Sequence, residues 1–173
     1  MVINLKSQTR RLKLVELLIL VLMGVLMYVS QVIMAPLTNI ELVSFLIIIV
    51  ARRFGVKSLI SVYIFAFLEI MTYGFHIWSI NYLYVWAILF FVIFIFRKIN
   101  NVFLYAFIAA VFGLFFGTLC SFPYFISGGF AFGISYILNG LGFDLLHCGG
   151  NLLTVIILYK PLIKVLDKAV KTA

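Results

Sequence analysis

The 173-residue chain is poor in charge, and most of all in acid: Asp and Glu together number five, and charged residues of either sign make up 10%. A soluble domain carries about a quarter charged residues, so a soluble enzyme or a disordered chain is excluded. Cysteine is scarce too. Cys120 and Cys148 are the two present, both inside apolar stretches and in no CxxC or zinc-finger spacing, which excludes a disulfide scaffold and reads as two unpaired membrane thiols. Only three prolines interrupt the chain, and long stretches hold no charge at all. What remains is 66% hydrophobic and includes 19 Phe. This is the composition of an all-α integral membrane protein, a single domain over residues 1–173.

Charges and turn residues divide the chain into six apolar segments: 14–34, 40–51, 58–73, 80–96, 102–121 and 143–169. The first has no small-residue cleavage site after it and reads as a retained helix, not a signal peptide. Pro36 closes it and Pro123 closes the fifth. Residues 124–142, rich in glycine, read as a short helix or re-entrant cap before the last helix, on the extracytoplasmic side.

The net charge of +8 comes from 13 Lys and Arg that sit between the apolar runs, where they set topology and meet anionic headgroups, so a nucleic-acid partner is excluded. With six spans and a cytoplasmic N-terminus, the basic leader 1–13, then Arg52, Arg53, Lys57, Arg97, Lys98 and the basic end 160–173 all face the cytoplasm. No basic residue is left outside, the distribution that the positive-inside rule favours. Lys160, Lys164, Lys168 and Lys171 share one helical face, which reads as the final helix emerging into the headgroup layer.

The acids are placed differently. Glu16 and Asp167 lie at the cytoplasmic edge beside bases, whereas Glu41, Glu69 and Asp144 map to the outer half of the membrane. A carboxylate within a span costs about 2.5–3.5 kcal/mol on insertion scales, so each is a candidate functional group. Glu41 and Asp144 open helices, where the macrodipole accommodates an acid; Glu69 lies near a helix C-terminus, where it does not. Glu69, Thr72, Tyr73 and His76 form one expected stripe, and Asp144, His147 and Asn151 another. At the same level lie Trp78, Asn81, Tyr82 and Trp86. An aromatic belt alone would explain Trp78 and Tyr82, but not polar stripes on two helices at one depth. The expected ligand site is therefore Glu41, Glu69, His76, Trp78, Asn81, Tyr82, Trp86, Asp144, His147 and Asn151.

No HxxxH or HExxH spacing supports a metal, no GxSxG elbow or other nucleophile motif supports catalysis, and no cofactor is expected. Ala109, Gly113, Gly117 and Ser121 recur at steps of four and offer a close-packing face, whether to another helix of this chain or to a partner.

The run Asn81-Tyr82-Leu83-Tyr84-Val85-Trp86, the segment Phe143-Asp144-Leu145-Leu146-His147-Cys148-Gly149-Gly150-Asn151 and the exit Lys160-Pro161-Leu162 complete a pattern. With the six-segment plan, it resembles the S components of energy-coupling factor (ECF) vitamin transporters. The resemblance implies a non-catalytic binding subunit in a bacterial-type plasma membrane. Its partners would be a membrane T subunit and two cytoplasmic ATPases on other chains. In that family an alanine-spaced face of the first helix meets the T subunit; here Gly24 is the only small residue from Leu17 to Met27. The expected ligand is a vitamin or related micronutrient, neutral or cationic, since no Lys or Arg falls in the outer half to meet an anion. The alternative is a structural or morphogenesis membrane protein of six helices without a small-molecule ligand.

Overall fold

The computed structural model describes residues 14–171, the last three through their backbone alone. The leader bases Lys6, Arg10, Arg11 and Lys13, the Lys171 side chain and the last two residues lie outside the described part. Among the described residues every regular element is a helix: α1 Leu14–Met34, α2 Val43–Phe54, a 3-10 turn Gly55–Ser58, α3 Leu59–Tyr73, α4 Ile77–Phe96, α5 Val102–Leu114, α6 Phe116–Cys120 and α7 Phe122–Lys171. Among the described residues four stretches are long and apolar enough to cross a membrane: Leu14–Met34, Val43–Tyr73, Ile77–Phe96 and Phe122–Lys168. The described part is thus all-helical, and its long apolar helices are those of an all-α membrane protein by length and composition.

Helix α2 is the axis of the packing and touches α1, α3, α4, α5 and α7. Every residue from Val43 to Ala51 is buried, including the consecutive Ile47, Ile48, Ile49 and Val50. A helix apolar on all faces is stable only when all faces have partners. At 12 residues it is about 18 Å long, short of the hydrocarbon thickness of about 30 Å. Glycine ends it: Gly55 has φ 60°, which an L side chain adopts only with strain, and a Cβ there would meet the Arg97 guanidinium.

The described bases gather at one end. Arg53 pairs with Asp167 at 3.0 Å and Lys57 with Glu16 at 2.5 Å. Arg52 donates to the Tyr159 hydroxyl and, at 2.8 Å, to Asn100 Oδ1. Its guanidinium also lies 5.6 Å and 5.4 Å from the Tyr105 and Tyr159 ring centroids, so it ties α2 to α5 and α7 by charge and by ring faces together.

The structure departs from the expected segmentation in two places. Pro123 does not close a helix but sits in the first turn of α7, where its missing N–H is no loss. The expected fifth segment does end at Ser121, the C-cap of α6, but it is also broken inside, at Phe115 between α5 and α6. Nor is there a boundary near Phe143 separating a cap from the last helix. Helix continues through Gly140 and Gly142, because a glycine weakens a helix by about 1 kcal/mol without ending it. Only Gly129, at φ 77° and ψ −176°, leaves helical geometry. There the chain doubles back. Tyr124 stacks on Tyr136 with centroids 4.1 Å apart, and the Phe125 ring lies where a Gly133 Cβ would stand. The expected cap is therefore the tip of a helical hairpin, and residues 130–171 run on as one helix of about 60 Å.

The descending arm lies along α5. Cβ atoms at Gly113 and Gly117 would meet the His147–Cys148 backbone at 2.8 Å and the Asp144 carboxylate at 2.6 Å. The close-packing stripe thus serves α7 of the same chain. A Cβ at Gly24 would come equally close to α3, 2.8 Å from Ile64 and the Ser61 carbonyl.

Candidate functional site

At the end opposite the bases, three adjoining hollows surround Trp78, which lines all of them. Trp78 is the second residue of α4, and a reciprocal cap holds its backbone. The Trp78 amide donates to His76 Nδ1 at 3.2 Å, the His76 amide to Ser79 Oγ at 3.2 Å, and Ser79 Oγ to the Gly74 carbonyl at 2.9 Å. The expected stripe from Glu69 to His76 is not one helix face, because α3 ends at Tyr73 and Gly74 turns at φ 82°. His76 instead caps α4. Even so, Glu69, Tyr73 and His76 line one hollow with Trp78 and Tyr82, about 300 Å³ in volume. Thr72 points away and bonds Tyr28 at 2.7 Å.

The second hollow, about 240 Å³, is lined by Glu41, Trp78, Tyr82, Trp86, Phe116 and His147 among others. His147 Nε2 lies 3.0 Å from Glu41 Oε1, both side chains buried. Glu41 Oε2 accepts the Ser44 amide at 2.8 Å, so the same carboxylate caps α2 and reaches α7. The third hollow, about 470 Å³, lies against the hairpin and is bounded by Asn39, Trp78, Phe132, Tyr136, Asn139 and Asp144 among others. Asp144 Oδ1 accepts the Gly117 amide at 2.9 Å, while Oδ2 is buried without a partner.

An aromatic wall runs behind the hollows. Trp78, Tyr82 and Trp86 follow at steps of four on α4, with centroids 5.4 Å and 6.0 Å apart, so they share one face. Trp86 continues to Phe116 at 5.5 Å, and Phe116 meets the His147 ring edge to face at 4.8 Å.

Asp144, His147 and Asn151 do share the inward face of α7, and all three are buried. Yet Asn151 and Asn81 line none of the three hollows. Asn151 Nδ2 donates to the Ala109 carbonyl at 3.2 Å, and Asn81 Oδ1 lies 2.9 Å from the Tyr84 hydroxyl, which also meets the Leu119 carbonyl at 2.6 Å. Asn151 thus ties α7 to α5, whereas Asn81 bonds only within α4, to the Tyr84 that reaches α6, and its Nδ2 is buried without a partner. Conversely, the expected site omits Phe116 and Gln31. Among 19 Phe nothing in the sequence distinguishes Phe116. Gln31 did carry a signal, as an amide within a span; it lines two hollows, and its Oε1 is buried without a partner.

None of the residues lining the three hollows is Lys or Arg. Among the described residues, no group of three or more His, Cys, Asp or Glu is arranged to hold a metal ion. Both cysteines are free. Such a site has hydrogen-bond acceptors and ring faces, and its protonatable bases are His76 and His147. No family model matches the chain, and comparison with curated proteins and with solved structures gives no match either.

Proposed function

We propose that this chain is the membrane-embedded binding subunit of an uptake system for a vitamin or related micronutrient. Its ligand is a neutral or cationic nitrogen heterocycle, and it is coupled to ATPase subunits on other chains through a membrane T subunit. The observation that carries this reading is the group of hollows around Trp78, which is rich in acid and aromatic groups and lies at the end opposite the bases. In the proposed topology six segments cross a bacterial-type plasma membrane, with α2 and α3 as separate crossings joined at Gly55 and both termini cytoplasmic. The base-rich end then faces inward, as the positive-inside rule favours, and the hollows open outward.

In this reading the chain's own residues bind and orient, and do nothing covalent. Trp78, Tyr82 and Trp86 offer ring faces to a planar ligand, and the carboxylates accept its N–H donors. The buried Glu41–His147 pair fixes α7 against α2 at the floor. The Gly129 hairpin, one wall of the largest hollow, is the element that admits and retains the ligand.

Reconstitution tests this. In liposomes the purified chain is expected to bind its ligand without concentrating it, even with ATP present, and to accumulate it only with the partner subunits. Accumulation by the chain alone would contradict the proposal.

A further inference from the structure

The three outer acids are not equivalent. Glu41 is fully engaged, one oxygen toward His147 at 3.0 Å and the other on the Ser44 amide at 2.8 Å. Asp144 is held by the Gly117 amide at 2.9 Å and pressed against that glycine, where a Cβ would come within 2.6 Å. Glu69 accepts no hydrogen bond among the described residues. Its side chain is only 7% exposed, and Oε1 is buried without a partner. It lines the 300 Å³ hollow together with the Trp78 and Tyr82 rings.

A carboxylate so placed lacks both the donors and the counter-charge that would offset its removal from water. The chain has no Lys or Arg to supply there, since none occurs between Lys57 and Arg97 or between Lys98 and Lys160, and His76 of the same hollow caps α4, its Nδ1 accepting the Trp78 amide. A cationic ligand would supply the partner that the protein does not. A planar cation with two adjacent N–H groups matches a carboxylate edge on, and its face is attracted by the neighbouring rings.

We propose that the Glu69 hollow is a subsite for an amidinium-like edge of the ligand: a planar N–C–N group bearing one positive charge, held by the carboxylate and flanked by Trp78 and Tyr82. This rests on the reading of the chain as a binding subunit and narrows its ligand from neutral or cationic to cationic. Glu41 is engaged by the protein through both oxygens and Asp144 through one, its Oδ2 lying against Gly117, whereas Glu69 is engaged through neither.

Trp78 and Trp86 are the only tryptophans of the chain and both line the hollows, so intrinsic fluorescence reports locally. The protein, dialysed free of retained small molecules, would be titrated with benzamidinium, benzamide and benzoate, which share a ring and differ in charge. Benzamidinium is expected to bind at least about tenfold tighter than benzamide, the scale of one charge-assisted hydrogen bond, and benzoate not to bind. In Glu69→Gln that preference is expected to vanish; in Glu16→Gln, altered at the opposite end, it is expected to persist. Equal affinity of benzamidinium and benzamide in the unaltered protein would overturn the subsite without needing any variant to fold. So would an undiminished preference in Glu69→Gln, or failure of all three to bind. None of these results touches the binding-subunit reading, which is tested separately by whether the purified protein retains a small molecule.

Discussion

His147 of α7 and Glu41 at the head of α2 meet at 3.0 Å although 106 residues separate them, and both side chains are almost wholly buried. The contact joins the last helix to the central one directly beneath the hollows. Removing one partner strands the other in a dry environment, so His147→Ala is expected to destabilise the fold by about 3–5 kcal/mol. Unfolding of the detergent-solubilised protein measures this. A double-mutant cycle with Glu41→Gln is expected to be non-additive by more than about 0.5 kcal/mol; additivity would mean that the pair carries no coupling.

Gly113 of α5 is expected to differ sharply from Gly142 of α7. A Cβ at Gly113 would meet backbone of α7, which cannot give way as a side chain tip can. Gly113→Ala is therefore expected to cost about 1–3 kcal/mol, the range for overpacking. Gly142 is helical with nothing within 4 Å of such a Cβ, so Gly142→Ala is expected to be neutral or to stabilise by up to about 1 kcal/mol. Paired thermal melts decide it, and equal effects would contradict the packing described.

Arg52 is expected to resist conservative replacement. It reaches Tyr159 and Asn100 with separate guanidinium nitrogens and lies over two rings. A lysine offers a compact point charge in place of that planar fork. Arg52→Lys and Arg52→Ala are thus expected to lower stability comparably, by about 1.5–3 kcal/mol, the range for hydrogen bonds to charged groups. Full rescue by lysine would show that charge alone matters.

Topology gives a fourth prediction. A reporter inserted at Arg53 and one fused after Ala173 are both expected to read cytoplasmic. An external signal from either would overturn six spans with inward termini.

Much of this arrangement was legible in the sequence because it follows from composition and period. The separation of bases from outer acids needs only the order of charges along apolar runs. The small-residue stripe of Gly113 and Gly117 follows from steps of four, and the shared inward face of Asp144, His147 and Asn151 from the helical repeat. Contacts between distant segments have no such period. Nothing local says that Glu41 meets His147, or that Asn151 ties α7 to α5 and Asn81 bonds within α4 while Gln31 and Phe116 face the hollows. Glycine misled in both directions. Gly140 and Gly142 suggested a boundary where the helix runs on, because a glycine only permits a break. Gly74 broke the stripe from Glu69 to His76, because there the chain takes up the positive φ that glycine allows.

The most direct measurement is native mass spectrometry of the protein purified from cells grown in rich medium, with the released compound identified by fragmentation. The binding-subunit account predicts one small molecule per chain, a neutral or cationic nitrogen heterocycle with no carboxylate or phosphate; the Glu69 subsite narrows it to a cation. A bare chain from rich medium that takes up no heterocycle would contradict the account in favour of a purely structural membrane protein; a retained carboxylate would refute the charge argument on which the choice of ligand rests.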